Sequence, residues 1–307
     1  MSQRLRDSEG LGWSSARRIA LGAYLIVCCL PVAASAAAIY DSIPNPLPGN
    51  VPSLGYQSAQ TSEFGDLIQF AGAGRTLAQV TIVMSDWALA ADYPSFPGAG
   101  GPTWNHPLTL NLYDVDNSGP NPAPGTLIAT RTQTAAIPWR PVADPSCTDK
   151  TQFRAPDGLC YSGLAFTVTF DFTGVTVPDQ IIYGVAYDTE TWGAHPIGTV
   201  GPYISLNFGL AQVPPTTGSN PFPDTAYWNT VAANYTASCP GGTLCRDTNW
   251  TPFSGAIRFD AQAVAQVPAL SPLGLLLLVL CLGVLALARL RRLRRQETRQ
   301  LEAHGVD

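Results

Sequence analysis

Phe166-Thr167-Val168-Thr169-Phe170 alternates apolar and hydroxyl side chains without a break. At a period of two, both rings and the valine share one face and the threonines share the other. That is the signature of a half-buried strand. Extended to its limits the run covers 164–172, and eight similar runs flank it: 64–70, 77–84, 108–113, 127–133, 181–187, 204–210, 226–232 and 256–263. Thr, Val, Ile, Phe and Tyr fill them, as pleated surfaces favour, and Gly and Pro mark most of the junctions. Between residues 50 and 263 no helical period is sustained. Nine short strands joined by turns predict an all-β domain: a two-sheet sandwich, jelly-roll-like in its winding. Two long insertions, 138–161 and 214–251, interrupt the spacing, and loops of that length in a compact domain are usually functional or pinned.

The two ends of the chain differ from this middle. Arg17 and Arg18 precede an apolar stretch, 19–32, followed by Ala33-Ala34-Ser35-Ala36. Charged region, hydrophobic region and small-residue site make residues 1–36 a signal peptide for Sec export, cleaved after Ala36. At the other end, residues 273–288 carry no charge. As a helix this run is about 24 Å long, slightly short of a hydrocarbon core of about 30 Å, and Leu290 and Leu293 can extend its apolar face. Arg289, Arg291, Arg292, Arg294 and Arg295 form a membrane stop that stays cytoplasmic. The predicted organisation is therefore a signal peptide (1–36), an exported domain (37–266), a motif with one C-terminal transmembrane helix and arginine cluster (267–295), and a cytoplasmic tail (296–307). The domain would face the periplasm from the inner membrane.

The net charge of −5 hides a strong asymmetry. Residues 37–266 hold seven basic and seventeen acidic side chains, a formal −10, and Lys150 is the only lysine among them. Such a surface excludes nucleic acid as an electrostatic partner and suits cations or neutral sugars. Cys28, Cys29 and Cys281 fall in apolar segments. The exported part keeps Cys147, Cys160, Cys239 and Cys245, an even number in an oxidising space, with three possible connectivities. Pairing neighbours, Cys147 with Cys160 and Cys239 with Cys245, closes two short polar loops. A zinc site would need tighter spacing or nearby histidines.

The tail carries a family resemblance. Val267-Pro268-Ala269-Leu270-Ser271, the apolar run and the arginine cluster follow one another in fixed order. This layout resembles the IPTL-CTERM class of C-terminal sorting signals, akin to PEP-CTERM signals, which exosortase-type membrane enzymes process in Gram-negative bacteria. That motif runs Ile-Pro-Thr-Leu-Ser, two residues, then Gly. Val267, Pro268, Leu270, Ser271 and Gly274 fit it; Ala269, Pro272 and Leu273 stand where the family commonly has Thr, an acidic residue and Trp. The resemblance covers about thirty residues and implies an exosortase-type partner, cleavage after the motif, and delivery to the cell surface or extracellular matrix. A plain anchor that is never cut shares the same topology. Residues 108–113, 114–119 and 124–129 also resemble a hairpin common in surface proteins with exchangeable C-terminal anchors.

Candidate chemistry is sparse. Asp114, Asp116 and Ser118, with Gly119 at the sixth place, resemble the first half of a calcium loop, but the place of its bidentate Glu is taken by Gly125. An ordinary hairpin turn explains the same residues. The exported part has two histidines, His106 and His195, and neither an H-E-x-x-H nor a G-x-S-x-G pattern. Asp188 and Glu190, two apart, read as a solvated turn rather than a carboxylate pair. No catalysis and no cofactor are expected, calcium aside. Aromatic residues are the more telling feature: Trp87, Trp104, Trp139, Trp192, Trp228 and Trp250 mostly fall at strand ends or in loops, where an indole face can stack on a sugar ring, and Trp104, Trp139 and Trp192 are the ones expected to contact sugar. The competing reading has such rings closing the ends of the sandwich. Two functions follow: an exported structural protein of the cell surface or matrix, or a carbohydrate-binding module that holds extracellular polysaccharide through loop aromatics.

Overall fold

A computed structural model describes residues 36–230, 244–263 and 272–303. Residues 1–35 of the expected signal peptide, Cys239 and the motif residues Val267, Pro268, Leu270 and Ser271 lie outside the described residues. The domain (Ser35–Ala263) and the C-terminal helix belong to separate units and are described one at a time.

The domain is a two-sheet β-sandwich. One sheet contains β1 (Ala37–Asp41), β2 (Ser53–Gly55), β4 (Leu77–Asp86), β9 (Leu164–Asp171), β11 (Leu206–Ala211), β14 (Ser254–Gly255) and β15 (Ile257–Ala261). Its main order is β1-β15-β4-β11-β14, with β2 on β11 and β9 on β4. The other runs β13 (Cys245–Thr248), β12 (Thr225–Thr230), β3 (Thr61–Gln69), β10 (Gln180–Ala186), β5 (Thr103–Asp116) and β6 (Ala123–Pro138). Every strand pairing is antiparallel. A small hairpin of β7 (Phe153–Arg154) and β8 (Cys160–Tyr161) lies within the first insertion.

The alternation at 166–170 appears in β9 as read: Val168 and Phe170 are buried, Phe166 packs partly against the core, and Thr167 and Thr169 face solvent. Thr169 pairs with Thr81 of β4, their hydroxyls 2.9 Å apart. The two inner faces meet ring on ring, Phe64 against Phe208 and Tyr183 against Phe259 at about 6 Å between centroids. In β3 and β10 the central residues of both faces are buried. Their outer face is covered by a smaller cluster in which Leu67, Ile182 and Tyr227 are buried beneath Tyr113, Val115 and Leu244.

The first insertion is pinned by a Cys147–Cys160 disulfide. Closing a loop of about fourteen residues contributes roughly 3 kcal/mol by the chain-entropy argument. The carboxylate of Asp157 ties the same loop to the start of the domain, accepting from the Gly49 N–H (3.2 Å) and the Tyr161 hydroxyl (2.8 Å). Cys245 is also disulfide-bonded; its expected partner, Cys239, lies outside the described residues.

Beyond the domain, α1 (Pro272–Ala303) is one continuous helix. It contains the apolar run and passes through the arginine cluster into what reads as a tail, because Leu, Ala, Arg, Gln and Glu are strong helix formers that outweigh Gly274 and Gly283, and no proline follows Pro272 within it. Among the residues whose side chains are described, no helix is long and apolar enough to cross a membrane. Leu273, Leu275, Leu277 and Leu278 lie outside that set.

Candidate functional site: tryptophans and two surface recesses

Trp104 and Trp139 occupy the core rather than a loop surface. In β5 the burial alternates through Trp104, His106, Leu108, Leu110 and Leu112, all inward. Trp104 is 1 % exposed, and its Nε1–H donates to Asp86 Oδ2 at 3.2 Å. Phe96 and Tyr203 meet it edge-on at 5.7 and 5.4 Å. Trp139, 7 % exposed, donates from Nε1 to the Gly98 carbonyl at 3.1 Å, with Tyr93 stacked nearby. The segment around Phe96 is thus folded down over an aromatic layer. These two rings present no open face to a sugar.

Trp192 is half-buried in a turn that Thr189 organises: the Thr189 N–H donates to the Trp192 carbonyl (2.7 Å), and the Trp192 N–H donates to Thr189 Oγ1 (3.0 Å). That turn is fastened to the aromatic layer through His106, whose Nε2 lies 2.8 Å from the Asp188 carbonyl. A carbonyl only accepts, so Nε2 carries the proton. Burial lowers the His106 pKa to about 4, leaving the ring neutral at ordinary pH. Asp188 Oδ1 in turn accepts the His195 N–H at 2.9 Å.

Asp114, Asp116 and Ser118 are exposed at the tip of the β5–β6 hairpin. The Asp116 carboxylate accepts the Ser118 N–H at 2.8 Å, and bonding to the Ser118 hydroxyl and backbone holds its pKa below the usual range. Asp114 Oδ1 accepts the Val115 N–H. These are turn-forming bonds of the kind Asp makes in hairpins. Among the described residues, no group of three or more His, Cys, Asp or Glu is gathered to hold a metal.

Asp66, Asp86 and Asp260 are buried and Glu63 is largely so; Asp260 is paired with Arg258 at 2.8 Å. Burial raises the pKa of Glu63, Asp66 and Asp86, the last to about 7. Each has its own partners. Glu63 Oε1 accepts from Asn111 (2.9 Å) and the Tyr113 hydroxyl (3.0 Å), in space that Gly184 leaves open by lacking a Cβ. Asp66 takes the Leu67 N–H and the Asn220 amide. Asp86 takes the Ala88 N–H and Trp104.

Two other tryptophans, Trp87 and Trp250, border surface recesses. Trp87, just past β4, is 43 % exposed. It borders a recess of about 380 Å³ lined by Ser53, Ser58, Ser205 and Asn207. Trp250, half-buried beyond β13, lines a cleft of about 570 Å³ with Trp228, Phe253, Asp247, Thr248 and Asn249. Pro52 and Ser53 line both. Both tryptophans read as strand-end or loop residues in the sequence, but their common neighbours Pro52 and Ser53 are not legible there, because Trp87 and Trp250 lie far apart in the chain. No protein family matches this chain, and no curated protein and no solved structure matches it either.

Proposed function

We propose that the chain is an exported structural protein of the cell surface or extracellular matrix, with a jelly-roll-like domain delivered through a C-terminal sorting signal. The observation that carries this reading is the Cys147–Cys160 disulfide, a bond at home in oxidising compartments outside the cytoplasm. The acidic surface and the export pattern ending at Ala36 agree with it. The motif Val267, Pro268, Leu270, Ser271 and Gly274 would be read by an exosortase-type enzyme. The helical apolar run would sit in the inner membrane, with Arg289, Arg291, Arg292, Arg294 and Arg295 as its cytoplasmic stop. No catalytic role is proposed: the buried carboxyls are each engaged by separate partners and supply core hydrogen bonds.

Topology is the direct test. An alkaline phosphatase reporter, active only outside the cytoplasm, should be active when fused after Gln266 and inactive when fused after Asp307. Activity at Asp307 would sink the orientation, and inactivity at Gln266 would sink export.

A further inference from the structure

We propose that the ridge at Pro52 and Ser53 is a binding site for a neutral polysaccharide, with Trp87 and Trp250 as ring platforms on either side of it. The proposal rests on the reading of the domain as a surface protein, which supplies the setting in which such polymers are met. Folding buries Trp104, Trp139 and Trp228 but leaves Trp87 nearly half exposed. That exposed ring is nonetheless fixed. Its Nε1–H donates to Ser85 Oγ at 2.9 Å, and Ser85 donates to Asn50 Oδ1 at 2.7 Å. Gly163 lies against the indole edge, where any Cβ would collide with Nε1. The polar end of Trp87 is therefore committed inward, and what remains for a ligand is the apolar ring. A platform held rigid before binding loses little rotamer freedom when a ligand arrives.

The surroundings of both rings suit hydroxyl groups. Beside Trp87, Ser53 Oγ accepts from Asn207 Nδ2 at 3.1 Å and keeps its own proton for another acceptor. Ser58 and Ser205 add hydroxyls to the same recess. Across the ridge, Asp247 Oδ2 accepts the Trp250 Nε1–H at 3.0 Å and so sets that ring in place as well. Asn249 stands at the rim in a left-handed conformation (φ 72°), which Asn tolerates better than most residues. Neither recess is lined by a Lys, Arg or His, while Asp247 contributes a carboxylate. That lining repels phosphate, sulfate and uronate groups and accepts hydroxyls. Aromatic faces, hydroxyl and amide groups and a lining without cations together select a neutral, hydroxyl-rich chain over an anionic one.

The test is affinity electrophoresis of the full chain in a detergent without a sugar headgroup, through native gels containing soluble β-glucan, galactomannan, mannan or alginate. At least one neutral polymer should retard the wild type, and alginate should not. Trp87→Ala should weaken the retardation about tenfold, the scale of one lost aromatic contact of roughly 1.4 kcal/mol. Its melting temperature should fall by only a few degrees, since nearly half of the residue is exposed and the rest packs at the surface. Asn249→Ala, at the exposed rim, should weaken binding without the packing loss that truncating Trp250 would bring. Trp192→Ala should bind as wild type. If no neutral polymer retards the wild type, or alginate alone does, the neutral-glycan proposal fails and the surface-protein reading stands. If the wild type binds but Trp87→Ala and Asn249→Ala bind equally well, or Trp192→Ala alone loses binding, the site is wrong.

Discussion

Trp104→Ala should destabilise the domain by about 3–5 kcal/mol, the usual cost of truncating a buried aromatic. Trp104 is 1 % exposed and is surrounded by Phe96, Trp139, Tyr203 and His106. Removing it opens a cavity in that layer and also strips Asp86 Oδ2 of its Nε1–H donor inside the core. For a domain of this size the loss corresponds to a fall in Tm of roughly 10 °C. Trp104→Phe keeps much of the packing but not the hydrogen bond, so its cost should lie between wild type and Ala. Urea unfolding of the three proteins checks the order. A Trp104→Ala variant as stable as wild type would contradict the placement of this ring in the core.

Asp86→Asn should change the shape of the stability–pH curve. Burial is the largest cause of the rise in the Asp86 pKa, from 3.8 to about 7. Between those values the folded protein holds a proton that the unfolded chain releases. The contribution of Asp86 is thus fully present below about pH 4 and is lost as pH rises through about 7. At about 1.4 kcal/mol per pH unit, the loss is on the order of 4 kcal/mol. His106 works in the opposite sense. Its pKa is lowered from 6.5 to about 4, so its contribution is present above 6.5 and lost as pH falls through 4. The raised pKa values of Glu63 and Asp66 act in the same direction as Asp86. All three groups remain in the variant, so the difference between the two proteins isolates Asp86. The stability of Asp86→Asn relative to wild type should climb by a few kcal/mol from pH 4 to pH 7. Urea titrations at pH 4, 5.5 and 7 read this directly. A difference that stays flat would mean Asp86 is not held in a buried, protonated state.

The strands were largely legible because their signal is local. Each of the nine predicted runs overlaps a strand, and the Thr-Val-Thr alternation fixed the inward face of β9 correctly. What was missed depends on distant partners. Residues 37–41 fall outside all nine predicted runs, yet they form β1 by pairing with β15, more than two hundred residues later. The start of β5 was hidden by Pro107, which argues against a central strand. The pairing of β10 with β5 begins only at Thr109, so at Pro107 the strand is paired on one side, against Thr134, and the missing N–H has an open side to face. Reading the strand from Leu108 left Trp104 looking like a loop residue. The period of two through Trp104, His106 and Leu108 was the available signal for its burial. Conversely, Trp87 follows a strongly apolar strand yet stays exposed, because its ring packs beside Gly163 at the surface rather than beneath a covering loop.

The central claim, an exported and sorted surface protein, is tested most directly by the intact mass of the native protein under non-reducing conditions. The protein should be recovered from the cell surface or the surrounding matrix. The account predicts a chain that begins at Ala37, ends soon after the Val267–Ser271 motif, and carries its four domain cysteines as two disulfides. A surface chain that begins at Ala37 but still carries residues 275–307 would reduce the tail to an uncut anchor. A full 307-residue chain with free thiols, found only in the cytoplasm, would contradict the account.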